Sequence, residues 1–295
     1  MESFRHLYPF QSRFMDRCGL RYHYLDEGTG DPLVMIHGNP TWSFYFRELV
    51  NELSSGYRTI VPDHIGCGLS DKPDDHNYHY TLESRVDDLE ALLDHLGIAD
   101  KITLIVHDWG GMIGLAYALR HITRIRRLVI TNTSGFLPPG GKAIPFRLWL
   151  IRHIAPFAAP AVRGLNAFSV GALYMATGKG LSNDVKAGLK APYNNWKNRI
   201  ATLRFVQDIP VKPSDPSYAL VRHVDDNLIR LKDISMMICW GAKDFVFDLD
   251  YLAEWRRRFP DAEVHEFPDA GHYILEDEAP AMRQLIRGFL DRHPI

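Results

Sequence analysis

The chain has 295 residues, 46% of them hydrophobic and 24% charged, with a net charge of −2, which is the composition of a globular protein long enough to bury a large core. That balance leaves no electrostatic footprint for nucleic acid, and the basic clusters Arg124-Ile125-Arg126-Arg127 and Arg256-Arg257-Arg258, set beside apolar runs, read as solvated element ends. No stretch approaches about 18 uncharged apolar residues and no long apolar run follows the first basic residues, so neither a membrane span nor a signal peptide is expected, and a cytoplasmic location is.

Residues 12–26 alternate as a strand pair turning near Cys18-Gly19, and Leu33-Val34-Met35-Ile36 is a continuous apolar run ending in His37-Gly38-Asn39-Pro40, the pattern of a buried parallel strand reaching a loop. Trp42 to Leu53 carries helical spacing. Tyr57 to Val61 is another strand, delivering the loop Pro62-Asp63-His64-Ile65-Gly66-Cys67-Gly68-Leu69-Ser70-Asp71. Thr81 to Leu96 predicts a helix with Thr81 as its cap and Glu83 in its first turn.

The run Ile102-Thr103-Leu104-Ile105-Val106 breaks at His107-Asp108, and Trp109-Gly110-Gly111 then opens a helical segment. Strand, sharp turn and helix start put the side chain of Asp108 beyond the strand's carboxyl end, and the glycine pair lets helix and strand approach closely. A carboxylate is ionised at pH 7 and attacks carbon without a base to activate it. Capping of the helix is the plain structural role for the same residue.

Leu128 to Thr131 is the next strand, ending at Asn132. From about Phe136 to Pro213, prolines punctuate apolar, aromatic-rich segments with helical spacing and no strand alternation. This predicts a helical cap domain over 136–213, inserted after the sixth strand of a core domain made of 1–135 and 214–295. Its Phe146, Trp149, Phe157, Phe168, Tyr174, Tyr193, Trp196 and Phe205 are expected mostly to pack inside it, with a fraction facing the substrate. A helix pattern covers Tyr218 to Leu231, Ile234 to Trp240 is a strand followed by Gly241-Ala242-Lys243-Asp244, Glu263 to Phe267 is the last strand before Asp269-Ala270-Gly271-His272, and a helix near Ala279 to Arg292 closes the chain. The alternation implies an α/β fold with a mostly parallel, doubly wound sheet, whose ligands bind beyond the strands' carboxyl ends.

Asp108, Asp244 and His272 each follow a separate strand, in the order nucleophile, acid, histidine. Asn132 bears on this, because an amide after the strand before the cap leaves the acid role to Asp244. In this arrangement His272, oriented by Asp244, would take a proton from water, and the backbone N–H groups of Trp109 and Asn39 would bind an oxyanion, an effect worth about 3–4 kcal/mol per donor. The indole N–H of Trp109 and the amide of Asn39 offer two neutral donors for an anionic leaving group, halide or carboxylate. No arginine follows the nucleophile, which argues against a fluoroacetate-type dehalogenase. No G-x-S-x-G occurs, which argues against a serine hydrolase. His37, His64 and His107 lack metal-ligand spacing, and Cys18, Cys67 and Cys239 lack CxxC spacing, so reduced thiols and no metal site are expected.

The segments His37-Gly38-Asn39-Pro40-Thr41-Trp42-Ser43, Asp63 to Pro73, Val106-His107-Asp108-Trp109-Gly110-Gly111, Trp240-Gly241-Ala242-Lys243-Asp244 and Ala270-Gly271-His272 resemble the haloalkane dehalogenase family of the α/β-hydrolase fold, over nearly the whole chain. The Asp108-Asp244-His272 set with Asn39 and Trp109 is similar to that family's third subfamily. Asp71-Lys72-Pro73-Asp74-Asp75, Ser84 to Leu89, Pro192-Tyr193-Asn194-Asn195-Trp196, Asn198-Arg199-Ile200 and Gln207-Asp208-Ile209-Pro210 resemble more closely the β-lactone decarboxylases of bacterial long-chain olefin biosynthesis. That resemblance implies that a cis-3,4-dialkyl β-lactone loses CO2 to give a cis-alkene, without a cofactor, with Asp108 attacking the ring and Asn39 with Trp109 holding carboxylate oxygens. It also implies a small hydrophobic substrate and leaves assembly with other olefin-pathway enzymes open. Haloalkane hydrolysis is the second reading. Epoxide opening is the third, for which Tyr174 and Tyr193 are candidate donors.

Overall fold

The computed structural model describes residues 3–295. Arg13–Arg17 (β1), Leu20–Glu27 (β2), Pro32–Ile36 (β3), Arg58–Pro62 (β4), Ile102–His107 (β5), Ile125–Thr131 (β6), Ser235–Gly241 (β7) and Glu263–Phe267 (β8) form one sheet in the order β1-β2-β4-β3-β5-β6-β7-β8. The pairs β1/β2 and β2/β4 are antiparallel and the other five parallel, so the sheet is mostly parallel, as the strand–helix alternation predicts.

The two-residue period of the strands assigns their side chains to opposite faces. Val34, Ile36, Leu104, Val106, Leu128 and Ile130 pack with helices α2 (Leu82–His95) and α3 (Trp109–Arg120), whereas Leu33, Met35, Ile105, Val129 and Met237 pack with α1 (Arg47–Leu53) on the other side. Every residue of β5 is buried, the condition of a central parallel strand covered on both faces. Thr81 caps α2, its hydroxyl accepting from Ser84 N. The 42–53 segment begins as a single-turn 3-10 helix, Ser43–Phe46, before α1.

Between β6 and β7 the chain runs through α4 (Phe146–His153), α5 (Ala155–Ala159), α6 (Ala167–Met175), α7 (Asn183–Lys190), α8 (Ile200–Gln207) and α9 (Tyr218–Asn227). After β7 come α10 (Leu249–Arg258), α11 (Ile274–Asp277) and α12 (Ala279–Arg292). Among the described residues no helix is long and apolar enough to cross a membrane. One of the basic clusters departs from the expected solvated end. Arg127 is buried in β6, its Nε donating to Thr103 Oγ1 at 2.8 Å and its Nη1 to Leu290 O and His293 O. The guanidinium ties the sheet to the end of α12.

Candidate active site

Asp108 sits between β5 and α3 with φ 54° and ψ −129°, a left-handed backbone that a non-glycine residue holds only under strain of about 1–3 kcal/mol. Its side chain makes no capping hydrogen bond to α3, so the capping role does not account for it. The turn is held from three sides. Thr133 Oγ1 donates to Asp108 O, Asp108 N donates to Asn132 O at 3.2 Å, and Asn39 N donates to Asp108 Oδ1 at 2.7 Å. A Cβ on Gly110 would lie 1.9 Å from Ile36 O, and one on Gly111 1.9 Å from Thr133 Oγ1. Both glycines are therefore fixed by close approach.

His272 Nε2 lies 3.4 Å from Asp108 Oδ2, and His272 Nδ1 donates to Asp244 Oδ2 at 2.7 Å. All three side chains are buried. Burial disfavours the charged ring of His272, but the carboxylates of Asp244 and Asp108 outweigh it and push the imidazole up to about 10. Burial likewise opposes ionisation of Asp108, yet the hydrogen bond and charge of His272 hold its carboxyl below the ordinary value. Asp108 and His272 are thus an ion pair at neutral pH.

Two sets of residues that the sequence did not single out as functional hold this arrangement. Asn132 Nδ2 donates both to Asp244 Oδ2 at 3.0 Å and to Gly241 O at 3.1 Å, and Asn132 Oδ1 accepts from Gly241 N at 2.8 Å. The residue that merely left the acid role vacant positions the acid. The histidines dismissed as metal ligands staple the loops: His107 Nε2 donates to His272 O at 2.8 Å, His64 Nε2 to His37 O at 2.8 Å, and His64 N to His37 Nε2 at 3.1 Å. Burial, reinforced by His272, pushes His107 down to about 3, so it is a neutral strut. A strand-end histidine beside a loop is the one signal that would have found these residues.

Asn39, Asp108, Trp109 and His272 line one cavity of about 440 Å³, walled mainly by apolar side chains, among them Met112, Leu148, Ile151, Phe168, Ala172 and Val246. The predicted donors are brought together there with a difference. Asn39 Nδ2 donates to Thr202 O in α8 at 3.1 Å, and its backbone N–H rests on the Asp108 carboxylate, so one amide hydrogen remains for a ligand. Trp109 is held from behind by Phe205, ring centroids 5.4 Å apart, and Phe205 lies under the guanidinium of Arg85, which pairs with Asp208 at 3.2 Å.

The aromatic residues of 136–213 are not mostly internal. Phe168 lines the cavity, and Tyr193 and Phe205 are buried, but Phe146, Trp149, Phe157, Tyr174 and Trp196 are exposed. Apolar side chains there outnumber what five short helices can enclose. Tyr193 OH donates to Thr41 O at 3.1 Å, and neither it nor Tyr174 lines the cavity, whose tyrosines are Tyr251 and Tyr273, so the two candidate donors for epoxide opening are not in its wall.

Residues 31–279 match the model of the α/β hydrolase fold family. The chain is 52% identical over 285 residues to the cis-3-alkyl-4-alkyloxetan-2-one decarboxylase of Shewanella oneidensis, covering 96% of this chain and 89% of that one. It is 33% identical to a haloalkane dehalogenase of Mycolicibacterium paratuberculosis, covering 95% and 92%. The crystal structure of haloalkane dehalogenase DbeA from Bradyrhizobium elkani superposes with a TM-score of 0.84 at 23% identity, over 96% of this chain and 98% of that one, a likeness of fold. The chain belongs to the α/β-hydrolase fold family, within the group that joins the haloalkane dehalogenases to the cis-3-alkyl-4-alkyloxetan-2-one decarboxylases.

Proposed function

We propose that this chain decarboxylates cis-3,4-dialkyl β-lactones to cis-alkenes, with Asp108 as nucleophile, His272 and Asp244 as the charged pair beside it, and Asn39 with Trp109 as donors to the released carboxylate, beneath a cap formed by 136–213. The observation that carries it is the step in identity, 52% to a decarboxylase against 33% to a dehalogenase, each over at least 95% of the chain. Cytoplasmic location and assembly with other olefin-pathway enzymes belong to the same proposal.

We infer that attack falls on the ring carbon bearing the ring oxygen. An Asp108 oxygen bonds to that carbon with inversion, and the ring C–O bond breaks with its electron pair on oxygen, giving an alkyl ester and a free carboxylate. The bond from the neighbouring carbon to that carboxylate then breaks. Its electron pair forms the alkene and expels Asp108, and CO2 leaves. Departure of ester and carboxylate from opposite faces after one inversion restores the cis relationship of the two alkyl chains. Neither water nor a proton enters the balance. The anionic charge moves from Asp108 to the tethered carboxylate, so the cavity keeps its charge, and with Asp244 at its other nitrogen His272 stays protonated. A protonated imidazole cannot activate water, and the ester is spared hydrolysis.

Haloalkane hydrolysis shares the first step. There the anion departs, and His272 must become neutral before water can attack the ester. The deciding experiment incubates the protein with a long-chain cis-β-lactone and, separately, with 1-bromoalkanes, and measures alkene by gas chromatography and free bromide. Alkene from the lactone is expected. Bromide without alkene would make the chain a dehalogenase.

A further inference from the structure

The segment 136–213 holds eleven Lys and Arg against two Asp and no Glu, a net charge of +9 in a chain whose total is −2, which leaves −11 on the rest. The same segment carries the largest exposed apolar side chains. Phe157 is 75% exposed, Phe146 69%, Tyr174 66% and Trp149 41%. Helix α4, Phe-Arg-Leu-Trp-Leu-Ile-Arg-His, has no buried residue although most of its side chains are apolar.

Several of these side chains border the active-site cavity. Arg147 and Met175 are both exposed and both line the cavity, and they touch each other, Arg147 Nη1 lying 2.7 Å from Met175 Sδ. Phe146 and Trp149 stack beside Arg147, centroids 6.2 Å apart and planes at 7°, and Lys186 Nζ lies 4.7 Å over the ring of Tyr174. None of Phe146, Trp149, Phe157 or Tyr174 lines the cavity. They face outward around it.

We infer that this rim, α4 and α5 with the end of α6, docks on an anionic phospholipid bilayer and so places the cavity mouth against the lipid. Aromatic rings interleaved with Arg and Lys match the chemistry of the headgroup region, where rings settle at the boundary and cations meet phosphate. Lys142, Arg152, Lys179 and Arg204 are paired with carboxylates outside the segment, and the cations that remain, Arg147 and Lys186 beside the exposed rings among them, favour approach of this face to a negative surface. The inference rests on the β-lactone reading for its purpose, since a substrate with two long alkyl chains partitions into lipid, but the docking itself requires no substrate.

The test is co-sedimentation of the whole protein with extruded phosphatidylcholine vesicles, with or without about one-third phosphatidylglycerol, while Trp fluorescence is recorded. Binding to the anionic vesicles with a blue shift is expected, at least about tenfold weaker on pure phosphatidylcholine and in about 0.5 M salt. The triple variant Phe146→Ser, Trp149→Ser, Phe157→Ser should lose at least about tenfold in vesicle affinity while keeping its thermal unfolding and its turnover of a short, water-soluble lactone. Should that variant fold poorly, Lys186→Glu with Lys190→Glu must weaken anionic binding alone. No binding, binding indifferent to both variants, or light scattering that shows the rim buried between two copies overturns the inference, as does binding only to an acidic protein. Vesicle binding without lactone turnover would keep the docking and remove the decarboxylase reading.

Discussion

Asn132 Nδ2 donates to the same oxygen of Asp244 that receives the His272 ring, at 3.0 Å. The amide therefore holds the acid in line with the imidazole. Asn132 has φ 35°, which glycine adopts freely, so Asn132→Gly removes the amide without backbone conflict. That variant should lose about tenfold in kcat, about 1.4 kcal/mol. The Gly241 N–H left unpaired should lower stability by a further 1–3 kcal/mol, roughly. Steady-state kinetics and thermal unfolding read the two effects separately, and an unchanged kcat would reduce Asn132 to a structural tie.

Replacing Asp108 by Ala should reduce turnover by at least about 10⁴-fold, because among the described residues Asp108 is the only carboxylate lining the cavity and the proposed mechanism bonds the substrate to it. His272→Ala separates the two chemistries. Quench-flow mass spectrometry should find a stable alkyl ester on Asp108 after a bromoalkane, which needs water to be cleared, and no accumulated adduct after the lactone. An adduct that builds up equally from both would mean that the lactone adduct also needs His272 for its clearance, which overturns the proton-free elimination.

The titration of the pair sets a pH dependence. The folded pKa of His272, about 10, lies above its ordinary 6.5, so its pairing stabilises the fold fully below about 6.5 and is lost as pH rises through about 10. Asp108 runs oppositely. Its contribution is present above the ordinary 3.8 and lost as pH falls through its lowered folded value. Denaturant unfolding should show stability declining between about pH 6.5 and 10. In Asp108→Asn the His272 ring, followed by NMR, should titrate at lower pH than in the parent. An unmoved titration would place the two side chains out of contact.

Gly110→Ala should fail to fold or lose about 3 kcal/mol or more, since the added carbon meets the backbone oxygen of Ile36 at 1.9 Å and strand and helix must separate. Gly56→Ala, with nothing within 4 Å of the added carbon, should change stability by less than about 0.5 kcal/mol. Thermal unfolding of the two variants compares them directly, and equal melting would remove the close-approach argument.

Ala172 is buried in α6 against the cavity. Ala172→Leu takes space from the chains of the substrate, and kcat/KM should fall about tenfold for long-chain lactones and less for short ones, an extra methylene in a tight pocket being worth about 1–3 kcal/mol. A uniform fall across chain lengths would mean that the chains run elsewhere in the cavity.

The sheet was readable in the sequence because each buried strand is an apolar, β-branched run that ends at a polar or glycine loop, and those loops must converge at one edge of a parallel sheet. The ion-paired Asp108 and His272 with Asp244 follow from that convergence. Other features escaped because they join distant positions. The onset of β6 at Ile125 is masked by Arg126 and Arg127, and only the fold shows that Arg127 finds Thr103, Leu290 and His293. The bond from Asn39 to Thr202 O spans 163 residues. Exposure of the aromatics of 136–213 depends on how many helices cover them, which composition cannot convey.

Tyr273 N donates to Ala176 O at 2.6 Å, and Asp277 accepts from Gly178 N and Gly271 N, each at 2.8 Å. The histidine turn is thereby latched to the trailing end of α6. A displacement of that end of α6 would therefore be carried directly to the imidazole and its pairing with Asp108.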